Sequence, residues 1–320
     1  ASDRVQVERL GESTLGLPYI AVTITSPENL ARRDELRGKL ASLYDTRDLN
    51  AEDERPIVDD GKVTAFLLCT QHSNEIGAAV MTLELASDLA SKDDPETLEI
   101  LDNVGARFMV PPFIDPLDPN QDPVIQQGFA DLGTWISSRL TAEGKAGVAS
   151  NIIFDNYSPS LAYGNYHGSV DLLSEAASCN LATPVTIEED KFSPERGFDP
   201  TRRTWNHPMP WKGGEWTLRD IVEYDKIAAL AFLEHAARNR RQWLRNYAGI
   251  MRRTVEREYR GSEATDKEKV PYAYIIPAQQ DDPVTTWEML DILRLGAVEI
   301  EEAAAEITAD GVRYPAGTRV

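Results

Sequence analysis

Phe66-Leu67-Leu68-Cys69-Thr70-Gln71-His72-Ser73-Asn74-Glu75-Ile76-Gly77 runs from an apolar stretch into a polar corner, and a small-residue, helix-prone run from Ala78 to Ala90 follows. That order reads as strand, turn, helix, with two potential metal ligands at the turn. An imidazole and a carboxylate together suit a divalent metal such as zinc. The spacing alone is also met by a polar loop that caps a helix. With 53 acidic residues in 320, a carboxylate three places after one of four histidines is an easy coincidence. The rest of the chain has to decide between the two.

The totals narrow the classes. A chain of 320 residues with 42% apolar content can bury a sizeable core. The net charge of −20 argues against nucleic-acid binding, which needs a basic footprint, and against attachment to anionic lipid. The acid is spread along the chain and reads as a well-hydrated surface. Cys69 and Cys179 do not make a disulfide framework and read as core thiols. No apolar run reaches transmembrane length, so no membrane insertion is expected. The N-terminal residues Ala1 to Val5 show no secretory signal pattern.

Outward from the corner, Val5–Leu10 and Tyr19–Thr25 alternate on either side of a turn-rich segment and read as a hairpin. Leu30–Leu43 has helical periodicity, and Asp45–Gly61 reads as a charged loop. Val63–Cys69 reads as a buried strand and Gly77–Leu89 as a helix packed on it. Arg107–Pro116 reads as a short strand entering a proline-rich loop. Val124–Glu143 is predicted as a long helix with Ile125, Phe129, Leu132, Ile136 and Leu140 on one face. Ile152–Phe154 and Ser169–Ser174 read as strands, Tyr157–Gly168 as a loop, and Thr186–Gly214 as a polar covering loop. Thr217–Asn246 is helical, with helical pieces continuing to about Tyr259. After a charged linker, strand and helix patterns from Ala273 to Tyr314 read as a small α/β appendage. The expected class is α/β, a mixed sheet sandwiched between helices, with one domain over 1–260 and the appendage over 261–320.

Separated motifs then point one way. Leu68-Cys69-Thr70-Gln71-His72-Ser73-Asn74-Glu75 resembles the first ligand motif, His-x-x-Glu after a strand, of the zinc carboxypeptidases, the carboxypeptidase A-like metallopeptidases. Ser13-Thr14-Leu15-Gly16-Leu17-Pro18 resembles the turn of the hairpin that precedes it. Tyr166-His167-Gly168-Ser169-Val170-Asp171-Leu172-Leu173-Ser174-Glu175 resembles the strand carrying that family's catalytic glutamate. Val110-Pro111-Pro112-Phe113-Ile114-Asp115-Pro116 and Pro210-Trp211-Lys212-Gly213-Gly214-Glu215-Trp216 resemble a bacterial branch of large, often exported members. The resemblance runs over roughly the first 250 residues.

It implies zinc on His72 and Glu75, Glu175 as general base and acid, and a peptide or peptide-like amide next to a free C-terminus as substrate. It also implies an extracytoplasmic location, periplasmic or secreted. A strand-end glutamate in a salt bridge remains the alternative for Glu175.

The sequence also departs from the family pattern. No histidine stands in the Asp-x-His arrangement that supplies the family's third ligand, and the Asn-Pro-Asp-Gly loop is not found. In the expected order both fall between Asn103 and Arg107, so a block is expected to be lacking near Val104-Gly105. Relative to the family, both ends of the chain also read as cut. His167, near Glu175 in sequence, is a candidate for the missing ligand or for lining the substrate. Arg107 could stand in for the family's carboxylate-binding arginine or be a surface residue. Tyr166 could bind substrate or belong to an aromatic wall. The competing expectation is an inactive relative that binds peptide or glycan.

Overall fold

The computed structural model describes residues 2–69, 75–92, 94, 117–118, 121–152, 159–177, 179, 181–192, 194, 199–256 and 273–320. The chain divides into two compact units, Ala1–Ser262 and Glu263–Val320. Its class is mixed α/β, with helices and small antiparallel sheets.

In the first unit, strands β1 (Val5–Glu12) and β2 (Pro18–Ile24) pair antiparallel, from Val5 opposite Ile24 to Glu12 opposite Pro18. Gly16, at φ +74°, closes the turn in the left-handed region, where a Cβ is strained. Helix α1 (Pro27–Ala31) starts with Pro27 in its first turn, and the Ser26 hydroxyl accepts from the Asn29 amide at 3.3 Å. The helical pattern predicted over Leu30–Leu43 is divided at Arg32, and α2 spans Arg33–Tyr44.

The segment read as a charged loop contains helix α3 (Ala51–Asp60). Asn50 caps it, accepting from the Glu52 and Asp53 amides at 2.9 Å each. Glu52, Asp53 and Glu54 then sit in the first turn, where the helix dipole favours them. Ile57 and Val58 pack into a small cluster with Leu43, Leu244 and Ala248. The acids that suggested a loop are therefore the acids of a helix N-terminus.

Helix α4 (Gly77–Ser91) buries Met81, Leu85 and Leu89, one side chain per turn. Helix α5 (Pro123–Ala142) buries Ile125, Phe129, Leu132, Ile136 and Leu140, the face its periodicity predicts. Helix α6 (Pro159–Tyr166) replaces the loop expected there. Helix α7 (Leu218–Arg238) packs against both α4 and α5, and α8 (Arg240–Glu256) follows it after Asn239. The entry to α7 is a capping box. The Thr217 hydroxyl accepts from the Asp220 amide, and the Asp220 carboxylate accepts from the Thr217 amide at 2.9 Å. Strands β3 (Val185–Glu188) and β4 (Gly213–Trp216) pair antiparallel at the two ends of the segment expected to be a covering loop.

The stretches read as central strands differ from expectation. Residues 62–69 and 169–177 are described but carry no strand ladder. Val63, Thr64, Ala65, Leu67 and Leu68 make no hydrogen bond among the described residues. A cavity of about 530 Å³ lies between the two stretches, lined on one side by Val63–Phe66 and on the other by Gly168–Asp171. The strand expected at Arg107–Val110 and the junction at Val104-Gly105 lie outside the described residues.

In the second unit, helix α9 (Pro283–Leu295) is capped by Asp282, which accepts from the Thr285 amide at 3.0 Å. Strands β5 (Ile307–Ala309) and β6 (Val312–Tyr314) form an antiparallel hairpin. Arg319 bridges by backbone to Ile276 and Glu302 and lays its guanidinium 4.2 Å from the Trp287 ring centroid.

Candidate active site

His72 and Arg107 lie outside the described residues. Glu75 is half-buried in the corner immediately before α4. Helix α4 begins with an uncapped turn at Ile76 and lies close on α7, because Gly77 presents no Cβ. A Cβ there would stand 2.3 Å from Ile221 Cγ2 and 3.7 Å from Asp225 Oδ2. The start of α4 is thus held against the first turns of α7 by close packing.

Glu175 is exposed at a second cavity, of about 260 Å³. Trp211, Trp216 and Tyr224 line it, and Asp225 reaches it from α7. Asp225 is only 7% exposed, and burial pushes its carboxyl up to about 7. Sequence reasoning passed over this residue. Its signal is an acid on the apolar stripe of an amphipathic helix, between Ile221 and Val222 on one side and Ala228 and Ala229 on the other.

His167 sits elsewhere, at the end of α6. Its Nδ1 is 3.3 Å from the Tyr44 hydroxyl, and its ring stacks on Tyr44 at 6.1 Å and lies 4.7 Å from Tyr163. The Tyr166 hydroxyl donates to the buried carboxylate of Asp118. Both residues are thereby engaged in an aromatic and polar cluster, and neither lines the cavity that holds Glu175. His207 is buried in loop packing, with Nδ1 2.9 Å from the Val148 carbonyl. His235 is buried between Trp135 and Trp243, at 5.6 Å from each ring.

Residues 1–114 match the family model described as zinc carboxypeptidase. Over these residues the chain is similar to the zinc carboxypeptidases. The matched region contains His72, Glu75 and Arg107 and ends before Glu175. No curated protein and no solved structure gives a significant match. The match supports a carboxypeptidase-like hydrolase in general and, at the level of the family, zinc as its metal.

The residues in view do not complete a zinc site. Among the described residues no group of three His, Cys, Asp or Glu side chains stands together to hold a metal ion. Of the two zinc-carboxypeptidase ligands expected from the motif, only Glu75 is described. Among the described residues no helix is long and apolar enough to cross a membrane.

Proposed function

We propose that this chain is a hydrolase of peptide or peptide-like amide bonds next to a free C-terminus. The observation that carries the reading is the family match over residues 1–114, which contains the His72–Glu75 corner. In this reading His72 and Glu75 hold zinc. Glu175, at the mouth of its cavity, takes a proton from the attacking water and returns it to the leaving amine. Arg107 pairs with the substrate carboxylate in this reading, whereas Tyr166 and His167, which do not line the Glu175 cavity, would contact only a part of the substrate that extends beyond it. The partner is a peptide-like substrate rather than nucleic acid, in keeping with the net charge of −20. The location is outside the cytoplasm, in keeping with the bacterial branch that the motifs resemble.

A second reading has its own observation. None of the four histidines stands in an Asp-x-His motif, and two ligands hold zinc weakly. The chain would then be an inactive relative that binds peptide or glycan. Metal analysis of the purified protein separates the two. The hydrolase reading expects about one zinc per chain, lost in His72→Ala and Glu75→Ala. The inactive reading expects no bound zinc and no release of C-terminal residues.

A further inference from the structure

The larger cavity, of about 530 Å³, has no part in the proposed hydrolysis, and neither Glu75 nor Glu175 lines it. Its lining is mostly apolar, and Leu132, Phe232, Leu244 and Ile250 in it are all buried. Thr64, Phe66 and Tyr163 line it as well and are exposed, so it opens to solvent. The indole of Trp243 belongs to the same lining, and its Nε1 is buried without a partner among the described residues.

The two backbone stretches that flank this cavity differ in one respect. Gly168, Ser169 and Asp171 are tied to α6: their amides donate to the Asn165 carbonyl at 3.1 Å, the Gly164 carbonyl at 2.9 Å and Asn165 Oδ1 at 2.8 Å. Val63, Thr64 and Ala65 run without helix, turn or bend, and their backbone groups make no hydrogen bond among the described residues. Ala65 is buried, and a buried backbone group without a partner costs about as much as a lost hydrogen bond. Successive residues of an extended chain present these groups to opposite edges, so three unpaired in a row leave the cavity-side edge free.

A small apolar molecule could fill this space, but it could not satisfy a row of alternating donors and acceptors. A second extended chain does both, because its backbone pairs along the edge while its side chains reach the apolar lining. Four residues laid opposite Val63–Phe66 span about 13 Å at roughly 3.3 Å each. The net charge of −20 opposes self-association, so the chain that fits is one without acidic residues rather than a second copy of this one.

We propose that Val63–Phe66 is a strand-addition edge, and that the cavity takes an uncharged, apolar, extended segment of a partner protein as the added strand. The segment pairs by backbone with Val63–Ala65, and its side chains lie against Leu132, Phe232 and Ile250. The wall at Gly168–Asp171 is fixed in advance by its bonds to α6, which lowers the ordering cost of binding. This goes beyond the proposed hydrolysis and does not rest on it, since it concerns a different cavity and holds whether or not the protein cleaves peptides.

The test uses the whole protein and the peptide acetyl-Thr-Val-Ile-Val-Thr-amide, whose blocked C-terminus keeps it from being a carboxypeptidase substrate. Its control is the same peptide with N-methyl groups on the three central residues, which keeps the side chains and removes those donors. Amide hydrogen exchange is followed at residues 63–65. The unmethylated peptide is expected to slow exchange there at least tenfold, and the methylated one to leave it unchanged. Thr64→Pro interrupts the edge at a position where no hydrogen bond is lost. It is expected to abolish the effect of the peptide while the melting temperature of the free protein stays nearly the same. If Thr64→Pro does not fold, the two peptides on the wild type decide alone. Equal slowing by both peptides would mean burial without pairing and overturns the proposal, as does slowing by neither. A dimer of the free protein in sedimentation, dissociated by the peptide, gives the edge to a second copy and overturns it as well. None of these outcomes depends on whether the protein hydrolyses a free-acid peptide, so the two proposals fail separately.

Discussion

Two buried titratable residues on α7 contribute to the pH response with opposite signs. Burial raises the Asp225 carboxyl from its ordinary value near 3.8 to about 7. The folded state therefore keeps this proton longer than the unfolded state does. The stability it contributes is fully present below about 3.8 and is lost as pH rises through 7. A displacement of roughly three pK units corresponds to about 4 kcal/mol. Asp225→Asn is accordingly expected to raise the melting temperature at pH 8 and to leave it nearly unchanged at pH 4. An equal shift at both pH values would contradict the assignment. Burial lowers the pKa of His235 below 6.5, and the Asp131 carboxylate 3.3 Å away only partly offsets this. Its Nδ1 is buried without a partner. The unfolded state takes that proton first, so the stability from His235 is present above 6.5 and lost as pH falls through its folded value. The two effects oppose each other between pH 5 and 7, so His235 is best read in an Asp225→Asn background. There, denaturation midpoints should fall from pH 7 to pH 5, and His235→Phe should remove most of the fall. At this scale the sequence was informative about residue type and silent about environment. His72 and Glu75 stood out by spacing, whereas Asp225 looked like one acid among many.

At the scale of elements, periodicity and caps determined what could be read. The α5 stripe was legible because five apolar side chains recur on one face, and all five are buried. Phe129→Ala should therefore cost about 3–5 kcal/mol in chemical denaturation, the range for a large side chain removed from a packed core. Thr217→Ala removes one half of a capping box and should cost about 1 kcal/mol by the same measurement. Gly77→Ala places a methyl within 2.3 Å of Ile221 Cγ2 and should destabilise by about 1–3 kcal/mol through overpacking, with the Glu75 corner displaced along with α4. A neutral Gly77→Ala would show that the two helices separate more easily than their packing implies. Helices α3 and α6 were not legible. In α3 a run of acids and Pro56 imitate a loop, and the helix is decided by the Asn50 cap and by packing of Ile57 and Val58. In α6 the Tyr- and Ser-rich composition imitates a loop in the same way. The β3–β4 hairpin was missed because two four-residue strands are too short to show a period.

At the scale of the whole chain, the α/β class was legible and the central sheet was not. Val63–Cys69 has the composition of a buried strand, yet Phe66 is 50% exposed and Leu68 42% exposed. Strand composition describes a side chain's preference for a pleated, buried surface. It does not supply the neighbouring strand that completes the ladder. The stretches 63–66 and 168–171 flank about 530 Å³. Amide hydrogen exchange is expected to show little protection at Val63–Ala65, Leu67 and Leu68 and strong protection in α5 and α7. Protection at Val63–Ala65, Leu67 and Leu68 equal to that of α7 would contradict this. The proposed hydrolysis joins His72 and Glu75, in the matched region, to Glu175 beyond it. It is tested most directly by the release of the C-terminal residue from N-acetyl-alanyl-arginine compared with its C-terminal amide, in zinc-supplemented buffer. The hydrolase reading predicts release from the free acid only, reduced by about 10²–10⁴-fold in Glu175→Gln with the protein still folded. No release from either substrate by the folded wild-type protein would contradict it.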